Sequence, residues 1–287
     1  MKLSVIVPCY NAANTIATQL EALAGQYWSG SWEVIVADNG STDGTLAIAE
    51  RYRGRLPNLR IVEAAGKRGA AHARNLGASA ATGEFLAFCD ADDEVAPGWV
   101  AAIGTALSEH DFVASRFEGE KLNETWVLRS HLCPQQTGLQ PYTQPPFLPH
   151  ASGCGLGIKR ELHEAVHGFD ETLMNLQDTD YCWKIQLAGT PLHFAPDALI
   201  HLRYRQTLRG LYQQARGWGK YNVLIYKRYR PLGMPQMSWK DGAKAWRDVL
   251  RRLIRIRNKQ HLAQWLWRFG WRVGRLQGCI QYRVLAL

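Results

Sequence analysis

The stretch Glu84-Phe-Leu-Ala-Phe-Cys-Asp-Ala-Asp-Asp93 runs from an apolar segment into three carboxylates within four positions. A short, continuous apolar run is typical of a strand that is buried on both faces, so residues 85–89 are predicted to lie inside a covered sheet. Ligands of open α/β sheets bind beyond the carboxyl ends of the strands, where Asp90, Asp92 and Asp93 follow. Crowded carboxylates repel each other unless a cation compensates them. The stretch therefore predicts either a Mg²⁺ or Mn²⁺ site or a solvated acidic turn.

Apolar runs and helical patterns alternate through the first hundred residues. A buried strand is predicted at residues 3–7, where Pro8 ends it, and further strands are predicted at residues 33–37 and 59–62. A helical pattern follows each strand, and this repetition indicates a parallel sheet with helices on both faces. Beyond Pro97 the pattern loosens. Strands are predicted there at residues 111–117, 153–158, 192–195 and 198–200, with a long loop at residues 133–150.

Charge divides the chain into two parts. Of the 34 Lys and Arg residues, 20 lie in residues 201–287, against only Asp241 and Asp248, so this part carries +18. Residues 1–200 carry −9, which together gives the net charge of +9. Such asymmetry predicts an acidic catalytic body with a basic tail that meets a polyanion.

The cysteines and the apolar segments indicate in which cellular compartment the chain is expected to fold. The six cysteines show neither a CxxC pair nor metal-binding spacing, which is typical of a reduced, cytosolic chain. The first residues lack the pattern of a signal peptide. Because the chain has no uncharged apolar stretch of about 18 residues, no membrane span is predicted.

Five motifs then point to a family. They are Ser4-Val-Ile-Val-Pro-Cys-Tyr-Asn11, Val34-Ile-Val-Ala-Asp-Asn-Gly-Ser-Thr-Asp-Gly44, Ala73-Arg-Asn-Leu-Gly77, Asp90-Ala-Asp92 and Gln177-Asp-Thr-Asp180. In this order they resemble glycosyltransferase family 2, the inverting nucleotide-sugar transferases of the GT-A fold. The resemblance implies a Rossmann-like, mixed and mainly parallel sheet in a catalytic domain over residues 1–205. Residues 1–95 would be its nucleotide-binding half and residues 96–205 its acceptor-side half.

The resemblance also implies which residues meet the nucleotide. Those assigned to it are Pro8, Tyr10, Asn11, Asp38, Arg68 and Asp90. Asp38 suits the imide N–H of uracil, and Tyr10 would lie against the base or would simply pack at the sheet edge. Asp90 would lie near the ribose, and a UDP-sugar is the predicted donor. Arg74 is assigned either to this region or to a bond with a neighbouring loop.

The metal site is likewise implied by the resemblance. The second aspartate of the Asp90-Ala-Asp92 motif, Asp92, would bind Mn²⁺ or Mg²⁺, which stabilises the leaving diphosphate. His201 follows the last predicted strand. It would complete the metal shell or touch the diphosphate, or it is a structural histidine at a strand end.

The acceptor side is implied by the motif at residues 177–180. Asp178 matches the general base that takes the proton of the acceptor hydroxyl, although an early-turn Asp also stabilises a helix N-terminus. Gln177 stands where relatives commonly carry Glu. Gly155 and Asp180 are assigned to the acceptor side as well.

Residues 206–287 are predicted to form a basic amphipathic helical region. Tryptophans and aliphatic residues alternate there with arginines, a pattern typical of helices that bind anionic lipid surfaces. The prediction is peripheral attachment to the cytoplasmic face of the cell membrane. The alternative is that these helices pack on the catalytic domain.

Together these features predict a metal-dependent, inverting glycosyltransferase. It would move a sugar from a UDP-sugar to a hydroxyl of a lipid-linked saccharide or of a surface polysaccharide. One alternative is a non-catalytic sugar-nucleotide-binding protein, which the presence of Asp90, Asp92 and Asp178 disfavours. Another is a basic nucleic-acid-binding protein, for which the acidic first part offers no surface and no binding motif is present.

Overall fold

The computed structural model describes residues 2–56, 58–130, 133–143 and 145–286. The chain divides into two compact units. The first unit comprises Met1–Leu122, Pro134–Gln140 and Pro149–Arg203. The second unit comprises Asn123–Cys133, Pro141–Leu148 and Tyr204–Leu287. The second unit therefore takes two short segments from before residue 150, which the division drawn from the sequence does not include.

The secondary structure alternates through the first unit and is helical in the second. The strands are β1 (Lys2–Cys9), β2 (Ser31–Asp38), β3 (Arg60–Glu63), β4 (Phe85–Phe88), β5 (Glu94–Val95), β6 (Phe112–Glu118), β7 (Leu156–Lys159) and β8 (His193–His201). The helices are α1 (Ile16–Ala24), α2 (Thr45–Glu50), α3 (Ala70–Ala80), α4 (Trp99–Glu109), α5 (Thr125–Leu128), α6 (Arg160–Ala165), α7 (Gln177–Leu187), α8 (Leu208–Tyr229), α9 (Trp239–Leu253) and α10 (Lys259–Tyr282).

The strands of the first unit form one sheet in the order β3-β2-β1-β4-β7-β6-β8-β5. The pairs β1–β2, β2–β3, β1–β4 and β6–β8 are parallel, whereas β7 and β5 pair antiparallel with their neighbours. The central strand β4 buries Leu86, Ala87 and Phe88 completely. The predicted mixed, mainly parallel sheet is confirmed, and the apolar run before Asp90 lies at its centre.

Pro8 does not end the first strand, because β1 continues through Pro8 to Cys9. The backbone of Ile6 faces β4 and accepts the N–H of Cys89 at 3.1 Å. Backbone N–H and C=O groups of successive residues point to opposite sides of a strand, so the backbone of Pro8, like that of Ile6, faces β4. Ile6 is the last residue of β1 that pairs with β4, and Pro8 lies beyond it. The missing N–H of Pro8 is therefore not needed by any ladder.

Two predicted strand boundaries are wrong. Residues 153–155 form a 3₁₀ turn instead of a strand, and only Leu156–Lys159 pairs in the sheet. The strands predicted at residues 192–195 and 198–200 are the single strand β8, whose register against β6 shifts between Ser115 and Arg116. Pro196 lies within β8, because a proline is tolerated where a ladder is interrupted by a bulge.

The second unit is built on the crossing of α8 and α10. A Cβ atom added to Gly219 would lie 2.2 Å from the Trp271 carbonyl oxygen, and one added to Gly274 would lie 2.0 Å from that of Arg216. Glycines at these positions let the two helix backbones touch. The helical C-terminal region predicted from the sequence is thus confirmed.

The helix α9 is covered on one side only. It buries Gly242 and Val249, and the Trp265 indole of α10 donates to the Val249 carbonyl at 3.0 Å. Leu250, Leu253 and Ile254 remain exposed. Within the described ranges, no helix has both the length and the apolar character to cross a membrane.

Candidate active site

The strands β1, β2 and β4 lie side by side and run in parallel, so their carboxyl ends meet at one edge of the sheet. Tyr10 and Asn11 follow the first strand, Asp38 ends the second and Asp90 follows the fourth. The topology thus brings residues from three distant motifs to the edge where α/β sheets bind ligands.

Tyr10 and Arg68 form an exposed pair at this edge. The Arg68 guanidinium lies 5.5 Å from the Tyr10 ring centroid, and its Nη2 lies 3.3 Å from the Tyr10 hydroxyl. Tyr10 is 44% exposed, which is unusual for a large aromatic residue next to a buried strand. A flat aromatic ring beside a guanidinium offers a surface on which a planar base can stack.

Asp38 and Asn11 shape the loop that follows β2. Asp38 is buried, and its Oδ2 accepts the N–H groups of Gly40 and Ser41 at 3.2 and 3.0 Å. Asn11 has a left-handed backbone, with φ of 47°, and its Oδ1 accepts the N–H of Thr42 at 2.8 Å. Both side chains therefore hold the loop, and Pro8 is buried within β1.

Asp90 is held by a buried arginine. Nη2 of Arg74 donates to Asp90 Oδ1 at 2.6 Å, and Arg74 is buried whereas Asp90 is about a third exposed, at 32%. Burial opposes the charge of Arg74, but Asp90 outweighs this effect and raises the pKa of Arg74 above its ordinary value. Arg74 thus bonds to Asp90 after the fourth strand, and its contact with a nucleotide stays a prediction.

Gly153 makes room for this arginine. A Cβ atom at Gly153 would lie 3.1 Å from the Arg74 guanidinium. The same glycine donates its N–H to Asp178 Oδ2 at 3.1 Å. Gly153 therefore lies between the Arg74–Asp90 ion pair and the Asp178 carboxylate, close to the first and hydrogen-bonded to the second.

Asp178 lies in the first turn of α7. Its Oδ1 accepts the N–H of Thr179 at 2.8 Å, and the side chain is partly buried. The residue before the helix, Leu176, has a left-handed backbone with φ of 60°. Such strain costs a residue other than glycine about 1–3 kcal/mol and is concentrated at functional sites.

Three acceptor-side assignments differ in their accessibility. Gln177 is half-buried, and its Oε1 has no hydrogen-bond partner among the described residues. Asp180 is fully buried, with its Oδ2 4.0 Å from Lys184 Nζ. Gly155 is also buried, because a Cβ atom there would lie 2.7 Å from the Phe117 ring. Gln177 accompanies Asp178 at the helix start, whereas Asp180 and Gly155 belong to the interior.

A second acidic group lies beneath the surface. Potential ligand atoms of Asp90, Asp93 and Cys154 lie within 4.8 Å of one another. Asp93 is buried and accepts the N–H of Arg203 at 2.8 Å. Burial, with the charges of Asp92 and Asp90, raises the pKa of Asp93, and burial also raises that of the Cys154 thiol.

This inner group is a poor match for a hard cation. Mg²⁺ and Mn²⁺ prefer oxygen ligands, whereas the Cys154 sulfur is a soft donor that suits neither ion. Asp92 is only partly buried, and its backbone carbonyl accepts from Arg203 Nε at 2.9 Å. The chemistry of these donors fits a cation at Asp92 better than one at Asp93 and Cys154.

His201 lies at the end of β8, in register with Glu94 of β5 and Glu118 of β6. Its Nδ1 pairs with the Glu118 carboxylate. Burial opposes the charge of Glu118, but this pairing helps to lower its pKa below the usual range. With the proton on Nδ1, the Nε2 lone pair is left for another partner, which is the usual arrangement of a metal-binding histidine.

Some neighbours of the site were not selected from the sequence. Glu118, Cys154 and His150 have no distinctive spacing along the chain. His150 is partly buried, and this burial lowers its pKa, while the charge of Asp178 acts in the opposite direction. Only the fold brings these residues together, so no local pattern could have indicated them.

Known proteins resemble this chain in sequence and in fold. The model of a family described as glycosyl transferase family 2 matches residues 4–166. Glycosyltransferase AglE of Haloferax volcanii is 39% identical over 199 residues, which are 68% of this chain and 65% of that protein. The chain spans less than two thirds of the length of the curated relatives that it matches.

Two solved structures share the fold. Mannosyltransferase PcManGT from Pyrobaculum calidifontis, in complex with GDP-Man and Mn²⁺, has a TM-score of 0.60 at 22% identity, covering 99% of this chain and 76% of that chain. Staphylococcus aureus TarS 1-349, in complex with UDP-GlcNAc, has a TM-score of 0.58 at 18% identity, covering 100% of this chain and 93% of that chain. At such identities the likeness concerns the fold alone.

Proposed function

Because the chain belongs to glycosyl transferase family 2, we propose that it moves a sugar from a UDP-sugar to a hydroxyl of a lipid-linked saccharide or of a surface polysaccharide. The observation that supports this most directly is the chain of contacts from Asp90 through Arg74 and Gly153 to Asp178. In this proposal Asp90 would be the carboxylate on the nucleotide side and Asp178 would be the base.

On the donor side, the Tyr10–Arg68 pair would stack on the base, and Asp90 would bind the ribose. Two proteins that share the fold were solved in complex with nucleotide sugars, GDP-Man in one and UDP-GlcNAc in the other, which supports a nucleotide-sugar donor. We favour uracil because Asp38 is a carboxylate that can accept its imide N–H. Asp38 Oδ2 already accepts two loop N–H groups, whereas Oδ1 accepts only the weak Cys9 thiol donor at 3.5 Å, so Oδ1 is the atom that would accept the imide N–H.

Asp92 and His201 would hold a Mn²⁺ or Mg²⁺ ion. Such an ion, when bound, supplies Lewis-acid stabilisation of the charge on the leaving diphosphate. Glu118 orients the His201 ring, and Arg203 fixes the backbone at Asp92. These residues would keep both ligands in place without contacting the substrate.

Asp178 would act as the general base. As the acceptor oxygen forms its bond to the anomeric carbon, the acceptor proton passes to the Asp178 carboxylate and the bond to the diphosphate breaks. The N–H groups of Gly153 and Thr179 fix this carboxylate, which spares the cost of ordering it during the reaction. Asp180, Gln177 and Gly155 would support the helix start and the turn that faces the acceptor.

The stereochemistry of the product tests this mechanism. A single displacement by the activated hydroxyl reaches the anomeric carbon from the side opposite the diphosphate, so the configuration is expected to be inverted. The anomeric proton coupling in the NMR spectrum of the isolated product measures it. A product with the configuration of the donor would exclude a single displacement.

We also propose that the second unit attaches the protein peripherally to the cytoplasmic face of an anionic membrane. Leu250 and Ile254 of the α9 region are 66% and 84% exposed. Arg251 and Arg255 lie next to them in the sequence. Exposed apolar residues among arginines suit a surface that combines anionic headgroups with an apolar layer.

Vesicle sedimentation tests the membrane proposal. The double substitution Leu250→Glu and Leu253→Glu is expected to reduce binding to phosphatidylglycerol vesicles about tenfold or more, since it removes apolar burial and adds two like charges to the anionic surface. Leu232→Glu is the matched control, because Leu232 is 54% exposed but lies outside α9. Equal binding by the double variant and the control would contradict the proposal.

A further inference from the structure

Within the second unit, two cavities lie between α9, α10 and the short segments that pack on them. One has a volume of about 630 Å³ and includes Arg129 and Ser130 in its lining. The other has a volume of about 730 Å³ and includes Pro145 and Pro146. Both are lined by Ala245, Asp248, Arg268 and Arg272, so they form a continuous recess, which we name the cationic cleft.

The charge of the cationic cleft is strongly positive. The basic residues that line it are Arg129, Lys244, Arg247, Arg251, Arg268 and Arg272. The acidic lining residues are Asp241 and Asp248. Asp248 is already engaged by Arg252, which is outside the lining, at 2.7 Å. The cleft therefore carries several positive charges for which the protein provides little compensation.

Arg268 and Arg272 are the least compensated pair. They stand four residues apart on α10, a spacing at which like charges destabilise a helix. Arg268 reaches Asp248 only at 4.0 Å. Over the ranges that the structure describes, no carboxylate lies within ion-pair distance of Arg272. Burial and the charge of Arg268 lower the pKa of Arg272, so an anion between the two arginines would relieve an unfavourable arrangement.

Aromatic residues complete the lining. Trp267 and Trp271 line the smaller cavity. Gln264 of α10 donates to the Arg129 carbonyl at 2.8 Å, which holds the Arg129 segment against this helix. Guanidinium groups bind phosphate oxygens through paired hydrogen bonds, and indole rings pack against the apolar faces of sugars and lipids. The recess thus offers both parts of a site for a phosphorylated amphipathic molecule.

We propose that the cationic cleft is a binding site for a phosphate group, carried either by a phosphorylated sugar or by a phospholipid headgroup, with Arg268 and Arg272 as its main contacts. The site is separate from the proposed donor site and does not depend on sugar transfer.

Tryptophan fluorescence of the full chain, in the absence of divalent metal, tests the proposal with inorganic pyrophosphate as the probe. Arg272→Gln and Arg268→Gln are each expected to weaken binding about tenfold, the usual loss for a charge-assisted hydrogen bond. Arg209→Gln is the matched control, because Arg209 is exposed on α8 and does not line the cleft. Asp92→Asn should leave this binding unchanged, which separates the cleft from the donor site.

Two further ligands identify the source of the phosphate. Glucose 1-phosphate represents a sugar phosphate, and short-chain phosphatidylglycerol below its micelle concentration represents a lipid headgroup. Binding of either ligand that is lost in Arg272→Gln but kept in Arg209→Gln supports the proposal. Equal affinities of Arg272→Gln and the unchanged protein for pyrophosphate, at constant ionic strength and with folding verified by circular dichroism, would overturn it.

Discussion

Replacing Asp178 with Asn is expected to lower the rate of sugar transfer about 10²–10⁴-fold, while binding of the donor stays close to that of the unchanged protein. The amide keeps one oxygen, which can accept the N–H of Gly153, while the contact of Asp178 Oδ1 with the Thr179 N–H is lost, so circular dichroism should verify that the variant is folded. It cannot take up the proton of the acceptor hydroxyl. Single-turnover kinetics measure the transfer step, and calorimetry measures affinity for the nucleotide.

Asp197→Asn is the matched control for this experiment. It makes the same change of a carboxylate to an amide in the first unit, but Asp197 is exposed on β8. Its activity should equal that of the unchanged protein. Transfer by Asp178→Asn at the rate of this control would place the base elsewhere, and His150 would then be examined next, since its charge interacts with that of Asp178.

Replacing Asp92 with Asn is expected to weaken binding of Mn²⁺ in the presence of UDP by at least about 10–100-fold. That is the usual loss on removing only an outer partner of a metal ligand, so loss of a direct anionic ligand should cost no less. The substitution preserves shape, and the backbone contact between Asp92 and Arg203 does not involve the side chain that changes. Isothermal titration of Mn²⁺ with UDP present gives the affinity.

Asp93→Asn provides the sharpest comparison for Asp92→Asn. Asp93 is the next residue, but it is buried and accepts the N–H of Arg203, which an amide oxygen can also do. Its metal affinity should therefore remain near that of the unchanged protein. The opposite result, a loss in Asp93→Asn and none in Asp92→Asn, would place the ion among Asp90, Asp93 and Cys154 and refute the assignment of Asp92.

The sheet was predictable because its signal is local. The apolar run before Asp90 and the run at residues 33–37 lie in buried strands, as continuous apolar segments should. The run at residues 59–62 overlaps β3, which is the partly exposed edge strand of the sheet. The errors concern where individual strands begin and end. Pro8 and Pro196 are both within strands, because each stands where the ladder does not require its N–H.

The site was predictable only in part. The motifs indicated that Asp38, Asp90 and the first turn of α7 contribute to one site, and the topology brings the strand ends that carry the first two together. The partners of these residues were not predictable. Arg74 with Asp90, and Glu118 with His201, are pairs that depend on contacts between elements far apart in the chain. Their roles in transfer remain predictions that the substitutions above address.

The close crossing of α8 and α10 limits how the second unit can be shortened. Ala215, Gly219 and Val223 stand four residues apart on α8, and the glycines of α10 pack directly on them. Loss of α10 would uncover this stripe, and a newly exposed apolar surface of this kind promotes aggregation. We therefore expect α8 and α10 to fold only together. Chains that lack about the last forty residues should aggregate and should not be recovered as folded, active protein.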